Sequence, residues 1–232
     1  MAPVTEVVLL TLVPNADYGP IAESLQILAR QPGCLAARAS RLHHDPAQVH
    51  YFIDWETVDS HLAFARNQPV YAPFRALVGS VMAAFHPPYH VRLSPFPPDV
   101  FDGAGAGAGT GRAVAMVGKA WFPGPSGLAA AEMTDVAEAF AAFVRALGER
   151  GVEGLTGRVA HGWSVEDAIA EKGGPSRVFL FAVGWDCVEA YLRFRDSGQL
   201  AEIGSVMTGL KKLVQLEMCV VNTTDTGADT AA

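Results

Sequence analysis

The stretch AAFHPPYHVRLSP, residues 83–95, sets two histidines, a tyrosine and an arginine around a Pro-Pro step. A neutral histidine can take a proton from a phenol or an activated carbon, and arginine or tyrosine can hold the anion that results. Read as a strand, YHVRLSP alternates its side chains, so His90 and Arg92 share one face and Val91 and Leu93 the other. The apolar pair belongs under helices, which would turn His90 and Arg92 toward a cavity, with Tyr89 beside them and His86 at the rim. The run QVHYFIDW offers a second polar set, because His50, Phe52 and Asp54 fall on one face and Tyr51, Ile53 and Trp55 on the other. His43 and His44 end the extended run before it, and one of them must face inward. His90 or His50 is therefore the expected base. Tyr51, Tyr89 and Arg92 are expected to hold the anion, and His43, His86 and His61 are candidates to line the cavity.

These residues need elements to position them. An apolar strand at residues 4–13 is followed by a helix with Ile21, Leu25 and Leu28 at helical spacing, which Pro32-Gly33 ends. Two extended runs, CLAARASRLHH and QVHYFIDW, are joined by the turn-like DPAQ. ETVDSHLAFARN reads as a helix with Val58, Leu62 and Ala65 on one face and His61 on that side. PVYAPFRALVGSVM reads as a second helix opened by a proline. With the strand YHVRLSP the order is β-α-β-β-α-β, a ferredoxin-like unit.

The order then repeats. RAVAMVGKAWFPG is extended, LAAAEMTDVAEAFAAFVRALGERG is a long helix, and EGLTGRVAHGWS and SRVFLFAVGW are strands. Two helical runs and the strand VQLEMCVV follow. Residues recur as well as order: Trp55, Val58, Leu62 and Phe64 match Trp185, Val188, Leu192 and Phe194 at one offset, and VGSVM recurs as IGSVM. The expected fold is α+β, two tandem ferredoxin-like halves packed sheet to sheet as an intramolecular barrel with a space between the sheets. The boundaries read as a first half at 1–95 carrying the polar site, a Pro/Gly-rich linker at 96–112, a second half at 113–221 and a disordered tail at 222–232.

The run YFIDWETVDSHLAFARNQPVYAPF resembles the antibiotic biosynthesis monooxygenase branch of the dimeric α/β-barrel superfamily. Asp54-Trp55, Thr57, His61-Leu62 and Pro69-Val70-Tyr71 with Phe74 carry the likeness. The resemblance implies a cavity in which Trp55 and Arg75 stand at the family's Trp and Arg positions, with Tyr51 at its Asn position and His61 at its Tyr position. It implies an enzyme of secondary metabolism acting on an aromatic or polyketide-like molecule. Cofactor-free oxygenase and cyclase are both represented in the superfamily, and tandem members that bind heme through one histidine are a further alternative. So is a non-catalytic binder of a hydrophobic metabolite.

Other classes are set aside by composition and motif. A net charge of −7, with no Lys/Arg cluster, leaves no basic face for nucleic acid or an anionic membrane. No apolar run approaches a membrane span, and the apolar N-terminal run lacks the basic flank of a signal peptide. Three widely spaced cysteines, Cys34, Cys187 and Cys219, fit free thiols in a reducing, cytoplasmic setting. No metal is expected: His86 and His90 are four apart, but Pro87-Pro88 denies them the helix that would align them. DGAGAGAGTGR lacks the strand before and helix after that a dinucleotide fingerprint requires. The expected partner is a hydrophobic small molecule with no cofactor, and the expected assembly is a monomer or a dimer of complete barrels.

Overall fold

A computed structural model describes residues 2–103, 113–125, 127–171, 174–208 and 210–223. The Gly-rich run 104–112 and the tail from 224 lie outside the described residues. The first half runs β1 (Val4–Leu12), α1 (Gly19–Ala29), β2 (Cys34–Arg41), β3 (Gln48–Trp55), α2 (Val58–Arg66), α3 (Gln68–Gly79), β4 (Met82–Phe85) and β5 (Tyr89–Ser94). After a short 3₁₀ helix at Asp99–Phe101, the second half runs β6 (Val114–Pro123), α4 (Ala130–Glu149), β7 (Leu155–Ser164), β8 (Ile169–Glu171), β9 (Gly174–Trp185), α5 (Val188–Asp196), α6 (Gln199–Thr208) and β10 (Gln215–Asn222).

Local chemistry explains the ends that matter for the site. Thr57 has extended backbone and its Oγ accepts the Ser60 N–H at 3.1 Å, which caps α2, and Asp59 in the first turn complements the helix dipole. α3 opens with Pro69 in its first turn, where a missing N–H costs nothing. It ends at Gly79, earlier than the sequence suggests, because Met82–Phe85 peels off to pair with β1.

The strands form one sheet in the order β10-β6-β9-β7-β5-β1-β3-β2, with β4 beside β1 and β8 beside β9. The halves are joined by antiparallel pairing of β5 with β7, from Val91 opposite Ser164 to Ser94 opposite His161. At the far edges Leu42 bridges Val221, and the His43 N–H donates to the Val220 carbonyl at 2.8 Å. Eight strands thus come round into a barrel that this single bridge closes.

The expected space between the sheets is filled. Val7, Phe52, Val91, Leu93, Trp121 and Leu180 pack inside the barrel, and Phe101 from the 3₁₀ helix enters one end and stacks on Phe52 at 3.9 Å. Beside this plug, Arg38 donates to Asp54 at 2.7 Å and to Asp102, and Thr5 donates to Asp54 at 2.6 Å. Because an end-plug of this kind leaves no rearrangement that refills its volume, Phe101→Ala is expected to cost about 3–5 kcal/mol in urea unfolding. A loss below about 1 kcal/mol would mean the barrel interior is not the core it appears from packing.

The filled interior also reverses the expected facing of β5. Tyr89, Val91 and Leu93 point into the barrel, whereas His90 and Arg92 lie on the outer side, His90 buried and Arg92 exposed. Apolar residues went inward because the barrel, not the helix layer, holds the continuous core at this strand.

Candidate functional site

The helices of each half pack on the outside of the barrel, and in the first half they leave a cavity of about 410 Å³ between sheet and helices. That is the size of a small-molecule site. Its floor is Glu6, Val8 and Leu10 from β1 and Tyr51 and Ile53 from β3; its wall is His61 and Phe64 from α2; its mouth includes Tyr71, Phe74 and Arg75 from α3. Strand alternation accounts for the floor, since Glu6, Val8 and Leu10 are every second residue of β1.

The polar groups form a connected train. The Trp55 Nε1–H donates to Glu6 Oε2 at 2.9 Å. Glu6 Oε1 lies 3.4 Å from His61 Nε2, long for a hydrogen bond. His61 Nδ1 and His90 Nε2 are 2.8 Å apart. On the other side of its ring, His90 Nδ1 is 2.6 Å from Glu166 Oε1, and the His90 backbone N–H donates to Glu166 Oε2 at 2.8 Å. Trp55 and His61 stack at 5.5 Å, which fixes the imidazole plane.

Burial sets the charges. It raises the Glu6 carboxyl to about 7, although the Trp55 donor and His90 pull the other way. Burial, with His90 adding to it, lowers His61 to about 4, so His61 is a neutral ring at physiological pH. Burial also acts to raise Glu166, but hydrogen bonds from the His90 side chain and backbone outweigh it and hold Glu166 below the usual carboxylate value. Burial pushes the Tyr51 phenol up, and Tyr51 shares a 2.7 Å hydrogen bond with Ser24. A carboxyl near 7 beside a neutral imidazole is a proton acceptor matched to neutral pH.

Glu6, His61 and His90 each present a donor atom within 4.8 Å of the others, the one such set among the described residues. Yet His61 turns one nitrogen to Glu6 and the other to His90. Ligands of a single ion would instead converge on one point, so the arrangement is a train of side chains in series.

Of the residues expected from sequence, the cavity gathers Tyr51, His61 and Arg75, with His90 behind His61 and Trp55 beneath it. The others lie elsewhere. His50 is inside the barrel, 5.7 Å from Phe52, where burial first, then Lys119 and His86, push its pKa far down. It cannot be the base for this cavity. Tyr89 is inside the barrel against Trp121. Arg92 is exposed on the outer face, away from the cavity. His43 is exposed at the β2–β10 closure, and His86 sits at the turn after β4 with its backbone N–H on Leu9.

Two members of the train were not expected. Glu6 is the single charged residue of VTEVVLLTLV, and a carboxylate inside an otherwise apolar strand is the signal that could have found it. Glu166 carries no comparable signal, because its partner is 76 residues away.

The second half supplies an internal comparison. Val4 opposite Trp55 corresponds to Val114 opposite Trp185, so Met116 stands where Glu6 does. Tyr191 takes the place of His61, at 5.6 Å from Trp185. Val220, opposite Met116, takes the place of His90, which is opposite Glu6. All three are buried in an apolar cluster. The same architecture thus exists once with the polar train and once without it.

This architecture defines a class of fold: a barrel of the dimeric α/β type made within one chain from two ferredoxin-like halves. Solved structures share it along nearly their whole length. An anthrone oxidase-like protein aligns with a TM-score of 0.60 and 15% identity over 96% of this chain and 91% of that one. A candidate monooxygenase from Fusobacterium nucleatum gives 0.57 and 10% over 95% and 92%. Another from Lactobacillus acidophilus gives 0.54 and 10% over 95% and 93%. The likeness is one of fold, and it is the fold that the motif resemblance implied. No family model matches the sequence, and no curated protein matches it. Among the described residues no helix is long and apolar enough to cross a membrane.

Proposed function

We propose that the protein is an oxygenase of secondary metabolism that deprotonates an aromatic or polyketide-like molecule in the first-half cavity and needs no metal or organic cofactor. The observation that carries this reading is Glu6, a buried carboxyl with a pKa near 7 on the floor of a largely apolar, aromatic cavity. The names of the solved proteins sharing the fold, monooxygenase and anthrone oxidase-like, support the same reaction type.

Glu6 takes a proton from an acidic C–H or phenolic O–H of the substrate. The resulting carbanion gives its electrons to dioxygen, forming a C–O bond and a peroxide anion. Return of the proton gives a hydroperoxide, which loses water to leave a carbonyl: R₂CH₂ + O₂ → R₂CO + H₂O. Arg75 at the mouth and the Tyr71 and Phe74 rings hold the aromatic body; loss of the guanidinium in Arg75→Ala is expected to raise KM about tenfold with little change in kcat.

Oxygen uptake with electron-rich phenols and anthrone, in the presence of EDTA, tests the proposal. Uptake equal to product formed and indifferent to the chelator is expected. Product without oxygen consumption would make the protein a cyclase or lyase, and loss of turnover with EDTA would make it metal-dependent.

A further inference from the structure

Glu166 belongs to the second half, just past the end of β7. Its position is fixed by backbone: Ser164 Oγ donates to the Glu166 carbonyl at 2.7 Å and accepts the Val178 N–H at 3.1 Å, while the Val165 N–H donates to the His90 carbonyl at 2.7 Å. The carboxylate is thereby held at the β5–β7 junction, receiving both the backbone N–H and Nδ1 of His90. Its side chain is 37% exposed and that of His90 6%. The charged end of the train is thus the end nearest water.

An ionised carboxylate only accepts, so His90 must carry its proton on Nδ1. In the neutral ring His90 Nε2 is then bare and accepts from His61 Nδ1. That leaves His61 Nε2 bare, facing Glu6. One charge at the junction of the halves dictates two tautomers and leaves the lone pair on the cavity side.

We infer that Glu166 is a positioning residue which sets the tautomers of His90 and His61 and stabilises a proton parked on His90 while dioxygen adds. The inference rests on Glu6 being the base. After deprotonating the substrate, Glu6 passes the proton to His61 Nε2 as the His61 Nδ1 proton moves to His90 Nε2. His90 becomes an imidazolium against the Glu166 carboxylate. The excess positive charge is then separated from the carbanion by the Glu6 carboxylate and the His61 ring, so the carbanion cannot simply recapture a proton from it. When the peroxide anion forms, the same steps run backward, protonate it and restore both tautomers. Nothing is oxidised in the chain, and no proton is gained or lost over the cycle.

The groups facing Glu6 are His61 from α2, His90 from β5, Glu166 beyond it, the Trp55 indole and Cys34 of β2, with Arg75 on the same cavity. None but Glu166 is a second-half residue.

The test is Glu166→Gln in the full-length chain. The Gln oxygen keeps the backbone N–H of His90, which turns the amide NH₂ toward His90 Nδ1. Both tautomers should then invert, leaving His61 Nε2 protonated and donating to Glu6. Nitrogen NMR of the histidine rings reads this without any substrate: Nδ1–H on both rings in the wild type, Nε2–H on both in the variant. With anthrone as probe, kcat should fall about 100-fold with KM unchanged, and the pH profile should move to lower pH because Glu6 is now hydrogen-bonded in its charged form. His90→Gln, which breaks the chain from the first half, should lower kcat similarly. Nε2–H on His61 in the wild type, or unchanged tautomers in Glu166→Gln, overturns the inference whatever the turnover. Inverted tautomers with turnover intact in Glu6→Gln would remove the base reading, and the parked proton with it.

Discussion

Glu6→Gln is expected to lower kcat by about 10²–10⁴ while leaving ligand binding and the fold in place, because general-base catalysis contributes about that much. The substitution keeps the volume and an acceptor for the Trp55 N–H and removes only the ability to take a proton. The same variant has an equally definite effect on stability. The Glu6 carboxyl is raised from 4.5 to about 7 in the folded protein. Between those values the folded state holds a proton that the unfolded state has released, so the Glu6 contribution to stability falls as pH rises through this window. Below the window both states are protonated and Glu6 costs nothing. Above it, an ionised carboxylate sits buried at a cost of about 3 kcal/mol, the shift multiplied by about 1.4 kcal/mol per unit. Glu6→Gln should therefore match the wild type in urea unfolding at pH 4 and exceed it at pH 8. An equal effect at both pH values would show that Glu6 is not an unusually basic carboxyl. The gain at high pH alongside lost turnover is the trade expected of a strained functional group.

Gly162→Ala should be the most damaging small substitution. Gly162 is in β7 opposite Leu93, and an added Cβ would overlap the Arg92 carbonyl oxygen. The obstacle is backbone, so no side-chain rotation relieves it, and the β5–β7 junction must open. A loss of about 3 kcal/mol or more is expected, together with collapse of turnover to the level of Glu166→Gln, since the His90–Glu166 contact lies on the same junction. Gly174→Ala, where an added Cβ meets nothing within 4 Å, is the control and should be close to neutral. If Gly162→Ala unfolds at the wild-type urea concentration, the two halves are not held together through this pairing.

The repeat was legible because the buried Trp and Phe and the half-buried Val and Leu of β3–α2 and β9–α5 keep their spacing, and core spacing follows directly from helix and strand periods. The orientation of β5 was not. His90 and Arg92 look like cavity residues and Val91 and Leu93 like a helix-facing pair, and alternation alone cannot say which side of a sheet is inside. The inward face is the one that joins the continuous apolar cluster of the barrel, to which the far-off Phe101 and Trp121 also belong. His50 misleads for the same reason, as an interior histidine tolerated by being kept neutral. His61, a cavity candidate from sequence, lies at the middle of the polar train, because its helix position places it over Trp55 and within reach of a strand residue 55 positions earlier in the chain. Glu166 was beyond reach, since only closure of the barrel brings it to His90.

Two chains forming such a barrel by twofold symmetry would have identical junctions, and any group introduced at one would appear at the other. Here the junctions differ. By register His44 occupies, at the β2–β10 closure, the place that Glu166 holds at β5–β7. Covalent fusion of the halves removes the obligation to duplicate. An acid at one junction can be matched to a histidine pair without placing a second acid where only Met116, Tyr191 and Val220 could receive it. One ligand per barrel is therefore the expected stoichiometry, with the second half free to be optimised as a wall.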